Sequence, residues 1–171
     1  MSGVIEIMPS IEKMEKAAVD LSRQAEVYLA EGRLNEAVAA CESALKIDPN
    51  LATACQTLGK VMQLRGEIEP AKQWYEAAID RNPNLPEVYA NLGSLYSHSK
   101  QWEKAIAACE KAISLAPKFA AAYRLLARVW MQLEKPEAAT ECWYQAFKIE
   151  PNWADRKSTR SELQSRSDLV C

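Results

Sequence analysis

The chain has 171 residues, 49% hydrophobic and 26% charged, with only 5 Gly and 8 Pro, a composition that can bury a core and excludes a loop-rich or disordered protein. Its formal net charge of -2 is too small to draw it to nucleic acid or to an anionic membrane, both of which select a surplus of Lys and Arg. No stretch is apolar for long enough to cross a bilayer, and Glu6, Glu12 and Glu15 interrupt the opening residues where a secretory signal would run unbroken.

Residues 1–17 form a leading segment. Val4, Ile5 and Ile7 make a short apolar run cut by Glu6 and closed by Pro9, readable as disordered, while Ser10 is suited to cap an extension of the first helix. From residue 18 onward the chain repeats itself. Pro49, Pro83, Pro117 and Pro151 stand 34 residues apart, in the phrases Ile47-Asp48-Pro49-Asn50, Arg81-Asn82-Pro83-Asn84, Leu115-Ala116-Pro117-Lys118 and Ile149-Glu150-Pro151-Asn152. With each proline at position 32, the units are 18–51, 52–85, 86–119 and 120–153, followed by a polar tail, 154–171.

Other positions fall into line in the same count. Position 20 is Ala37, Ala71, Ala105 and Ala139, and position 27 is Ala44, Ala78, Ala112 and Ala146. Position 24 is Cys41, Tyr75, Cys109 and Trp143, and position 11 is Tyr28, Met62, Tyr96 and Trp130. Positions 7 and 8 read Leu58-Gly59, Leu92-Gly93 and Leu126-Ala127, weakening to Gln24-Ala25 in the first unit. Small residues at 8, 20 and 27 let two antiparallel helices approach, and large ones at 4, 7, 11 and 24 fill the spaces between turns.

The spacing within a unit is helical, as in Ala71, Trp74, Tyr75 and Ala78, and no stretch sustains strand alternation. Helix A is predicted over roughly positions 1 to 14 and helix B over roughly 17 to 30. Gly32 and Gly66 occupy position 15, where the turn between them needs a residue tolerant of positive φ; Lys100 and Glu134 stand there later. Each repeat proline drives its predecessor out of the α region and stops helix B, and Asn50, Asn84 and Asn152 are suited to cap the helix that follows. Pro70 and Pro136 fall in the first turn of a helix B, where a missing N–H does no harm.

These residues resemble the tetratricopeptide repeat family, whose pattern runs Leu-Gly, Tyr, Ala, an aromatic, Ala and Pro, and the likeness covers most of the chain. It implies an all-α fold, a right-handed solenoid of four helical hairpins, and a scaffold that binds a peptide or protein segment in a concave groove lined by the A helices. Phrases such as Cys142-Trp143-Tyr144-Gln145-Ala146 and Glu150-Pro151-Asn152-Trp153 are also similar to the leading segments of large bacterial, especially cyanobacterial, proteins that end in a transferase domain. The alternative function is therefore the targeting or substrate-selecting region of a larger transferase-type enzyme.

Catalytic chemistry finds no foothold. The one histidine, His98, ends a helix A with no nucleophile or base assigned to it, and a surface or turn role is the simpler account. No enzyme activity, cofactor or metal is expected. The five cysteines, Cys41, Cys55, Cys109, Cys142 and Cys171, are odd in number and contain no C-x-x-C pair, so they read as reduced thiols in a cytoplasmic protein. Cys41 and Cys109 share a repeat position with Tyr75 and Trp143 and read as core filling, whereas Cys171 is expected to be exposed. Of the aromatic residues, Trp74 and Trp102 lie outside the strongest core positions, and partial exposure is expected for both.

The resemblance implies that positions 2, 5, 6, 9, 12 and 13 face a bound peptide. The candidates from it are Gln56, Lys60, Asn91, Ser94, Arg124 and Arg128. A clamp for a C-terminal carboxylate, which the family builds from Lys, Asn and Arg in successive A helices, is not supplied by Ser22, Glu26, Thr57, Glu87 and Asn91, nor by Gln56, Lys60, Asn91, Ala121 and Leu125. The family's asparagine ladder at position 6 survives only as Asn91 among Arg23, Thr57 and Leu125. Lys60, Arg124 and Arg128 remain, the last two one helical turn apart. Two readings of them stand, an acidic extended partner in the second half of the groove or a solvated face, the latter the more economical.

Beyond Trp153 the helical pattern stops. The stretch from Ser158 to Cys171 reads like a translated string of restriction sites; read so, the natural protein is expected to continue beyond residue 153, with this chain as its N-terminal fragment. No capping helix is expected after the fourth unit, so part of the surface around Trp130, Trp143 and Phe147 is expected to lack its neighbour, which predicts a homo-oligomer joined end to end.

Overall fold

The computed structural model describes residues 4–152, with side chains from Ile11 onward; Trp153 and the tail to Cys171 lie outside the described residues. Eight α-helices and no strand occur among them: α1 (Val4–Ala30), α2 (Leu34–Ile47), α3 (Ala52–Leu64), α4 (Ile68–Arg81), α5 (Pro86–His98), α6 (Trp102–Leu115), α7 (Ala120–Gln132) and α8 (Pro136–Ile149). Each odd helix packs most closely on the even helix that follows it, each even helix packs on the next odd one, and α1 also touches α3 as α5 touches α7. The result is an all-α solenoid in which hairpins stack in chain order and each meets chiefly its neighbours.

The turn inside each hairpin is the same device four times. Gly32 and Gly66 take φ of 74° and 77°, and Lys100 and Glu134 take 57° and 56° at the equivalent position. The N–H of Arg33 reaches back to the Tyr28 carbonyl at 2.8 Å and that of Gly32 to Leu29 at 3.1 Å, with the matching pairs at Glu67 and Met62, Gln101 and Tyr96, and Lys135 and Trp130. This is the Schellman closure, which satisfies the last carbonyls of a helix and requires a left-handed residue. Two of the four turns achieve it without glycine, at about 1–2 kcal/mol each for the left-handed conformation.

Between hairpins the prolines act through the residue before them. Asp48, Asn82, Ala116 and Glu150 are extended, with φ of -127°, -143°, -136° and -131°. Each still donates its N–H to the alanine four residues earlier, and the ladder ends there because proline has no N–H to continue it. The asparagines do not cap, contrary to expectation: the N-cap residues are Leu51 and Leu85, without a side-chain cap. Instead Asn50 and Asn84 donate their backbone N–H to the side-chain oxygens of Asp48 and Asn82, at 2.9 and 3.0 Å, tightening the loop one residue too early for capping. Ser10 is likewise no cap, since α1 begins at Val4 and runs through Pro9 and Ser10.

The core shows why the alignment holds. All eight alanines at positions 20 and 27 are fully buried. Position 8 faces position 24 across each hairpin: a Cβ on Gly59 would stand 2.6 Å from the Tyr75 ring, and one on Gly93 3.0 Å from Cys109 Sγ. Cys41 and Cys109, fully buried, are free thiols whose pKa burial pushes up from 9.0 to about 12. They pack as small hydrophobes and lack the thiolate that reactivity needs. Trp74 and Trp102 are half-buried.

Candidate peptide-binding face

The A helices α1, α3, α5 and α7 carry the positions that the repeat pattern assigns to ligand. Those positions divide into two groups. Ser22, Gln56, Thr57, Ala90 and Leu125, at positions 5 and 6, are buried, because they sit where one A helix meets the next. Ser22 and Thr53 join their hydroxyls at 3.0 Å across α1 and α3. Lys60 and Ser94, at position 9, are half-buried, and Arg128 is exposed.

A polar knot fixes the middle of this face. The Tyr75 hydroxyl, on α4, donates to Gln63 Oε1 on α3 at 2.8 Å and also bonds Asn91 on α5. Burial raises the pKa of the phenol and the Asn91 bond opposes that rise. Asn91 is therefore engaged in joining the second hairpin to the third. Arg124, which the sequence pairs with Arg128 as a forked site, donates from Nη1 to Glu150 Oε2 at 2.9 Å, tying α7 to the end of α8. Arg128 and Lys60 form no ion pair among the described residues.

Beside Arg128 lies a cleft of about 330 Å³, lined by Ser97, His98, Lys100, Trp102, Arg128, Met131 and Gln132. His98 is exposed, with Nδ1 donating to the Ser94 carbonyl at 2.7 Å. Two of the lining residues, Lys100 and Trp102, fall outside the six positions assigned to ligand. Lys100 holds the left-handed turn after α5 and Trp102 opens α6, so both border the cleft, and their places in the repeat gave no signal of it. Among the described residues no group of three His, Cys, Asp or Glu is placed to hold a metal, and no helix is long and apolar enough to cross a membrane.

Two family profiles, both for the tetratricopeptide repeat, match residues 28–95 and 86–119, together more than half of the chain. The chain belongs to the tetratricopeptide repeat family. Among solved structures it resembles the pilF protein of Pseudomonas aeruginosa, with TM-score 0.77 and 25% identity over 82% of this chain and 64% of that one, so it spans less than two thirds of that relative. It also resembles MamA, with TM-score 0.71 and 26% identity over 85% of this chain and 87% of that one. A chain of the APC/C hetero-tetramer Cut9-Hcn1 shares the fold alone, with TM-score 0.73 at 18% identity, over 80% of this chain and 28% of that one. No curated protein matches the chain in sequence. Tetratricopeptide repeats build protein-interaction scaffolds, and that is the general role of this chain.

Proposed function

We propose that this repeat array holds an extended, acidic segment of a partner protein along its A-helix face. The observation that carries the reading is the pair Lys60 and Arg128, the two cations at position 9 of the A helices, neither of which has an ion pair among the described residues, while Arg124 has Glu150. A cation already neutralised inside the chain gains little from a partner, whereas one without an ion pair adds both affinity and speed of encounter. Gln56, Asn91 and Arg124 then serve as wall and brace, and Lys60, Ser94 and Arg128 as the contact residues. The buried thiols support a reducing compartment as the place where this happens.

Selection of peptides from a random library against the full chain tests the reading. Acidic sequences are expected, and Lys60→Glu or Arg128→Glu should each weaken them by about tenfold and flatten their salt dependence. Binders indifferent to both reversals yet lost on Lys111→Glu, on α6, would place the site on the B helices and overturn it.

A second reading concerns α8. Tyr144 and Phe147 are 58% and 53% exposed, with Trp130 and Trp143 half-buried close by in the last hairpin. Exposed aromatics grouped on the last described hairpin favour contact with a second copy of the chain.

A further inference from the structure

The cleft where α5 and α7 end carries a more specific chemistry. Lys100 and Arg128 bring two permanent cations to it, Trp102 and Met131 bring apolar surface, and its lining contains no carboxylate. Neither cation forms an ion pair among the described residues. A volume of about 330 Å³ suits one or two side chains.

Helix C-termini ordinarily repel an anion, because their free carbonyls carry partial negative charge. Here three of the last four carbonyls of each helix are occupied. Leu95, Tyr96 and Ser97 accept from Ser99, Gln101 and Lys100, while Val129, Trp130 and Met131 accept from Leu133, Lys135 and Glu134. The Ser94 carbonyl is taken by His98.

We infer that this cleft receives the carboxylate of an acidic side chain in an extended peptide, held by Arg128 and Lys100, with an apolar neighbour of that residue against Trp102 and Met131. The inference rests on the A-helix face being the peptide-binding surface and names what one stretch of it selects. A side-chain carboxylate lets the segment run through the cleft in both directions, toward Lys60 on α3 in one of them, whereas a chain-end carboxylate would stop it there. The guanidinium fork of Arg128 supplies paired donors, and the ammonium of Lys100 a point charge.

Fluorescence anisotropy with the full chain and a labelled, C-terminally amidated peptide of about twelve alternating glutamates and leucines tests it. The peptide should bind, and its glutamine counterpart should bind at least about tenfold more weakly. Arg128→Gln and Lys100→Gln should each cost about tenfold, as loss of a charge-assisted bond does, and Met131→Ser should weaken binding with the helical melting curve unchanged. If Lys60→Gln weakens binding but Arg128→Gln and Lys100→Gln do not, the face binds peptide and the cleft is not the carboxylate site. Should only a free-acid peptide bind, a chain-end site replaces the side-chain one. No binding at millimolar chain concentration would also overturn the inference.

Discussion

Replacing Gly59 with alanine sets two effects of opposite sign against each other at one atom. Gly59 lies inside α3, where alanine is the better helix former by about 1 kcal/mol. Yet the new Cβ would stand 2.6 Å from Cδ1 and from Cε1 of Tyr75 and 3.0 Å from its Cζ, well inside the ~3.5–4.0 Å at which carbon atoms pack. The ring has no room to retreat: it is fully buried, and its hydroxyl is held by Gln63 and Asn91. Overpacking of this kind costs about 1–3 kcal/mol, so the substitution is expected to destabilise by about 0–2 kcal/mol once the helix gain is subtracted. Urea unfolding followed by circular dichroism measures it. Gly93→Ala supplies the comparison, because its Cβ meets Cys109 Sγ at 3.0 Å, a smaller neighbour, and should come out close to neutral. Combining Gly59→Ala with Tyr75→Cys recreates the Ala25 and Cys41 pair of the first hairpin, and there the alanine should no longer destabilise. Stability that rises on Gly59→Ala alone would refute the argument, since helix propensity would then be all that matters at this contact.

Three other outcomes are expected. Glu134→Gly should raise the unfolding free energy measured in urea by about 0.5–1 kcal/mol, because Glu134 holds φ of 56° where glycine meets no steric penalty; a fall would show that the side chain contributes something its backbone does not reveal. The buried thiols of Cys41 and Cys109 should make the chain alkali-sensitive. Their folded pKa of about 12 lies above the ordinary 9.0, so stability is full below pH 9 and declines by about 1.4 kcal/mol per thiol per pH unit as pH rises toward 12. Urea midpoints at pH 8 and pH 10.5 that coincide would contradict this. Finally, light scattering should show mass growing with concentration, and Phe147→Lys on α8 should abolish the growth; a strict monomer at high concentration would exclude association through that end.

The architecture was legible because its causes are local and repeat. A proline without an N–H, a left-handed residue at position 15 and paired alanines act within one hairpin, and the 34-residue alignment carries each from clear cases to obscure ones. Gly32 and Gly66 announce the turn, and the register alone places Lys100 and Glu134 in the same conformation. Asn50 and Asn84 misled because asparagine serves both caps and loop turns, and the neighbouring Asp48 and Asn82 decide between the two roles.

The binding face was less legible, because its exposure depends on contacts between units. Positions 5 and 6 hold small or polar residues such as Ser22, Gln56 and Thr57, which look like groove residues in sequence and are buried where neighbouring A helices meet. The partnership of Arg124 with Glu150 joins residues on different helices at the end of a hairpin, and nothing in the spacing of Arg124 and Arg128 distinguishes the braced cation from the one without an ion pair. The same reasoning explains how this face can diversify. Residues at positions 5 and 6 answer to the packing of one hairpin on the next, as Tyr75, Gln63 and Asn91 do in the middle of the array. Side chains at position 9, and at position 15 once its left-handed backbone is accommodated, answer to little inside the chain. Specificity can therefore change at Lys60, Lys100 and Arg128 without disturbing the stack, and it is there that variation among arrays with different partners should concentrate.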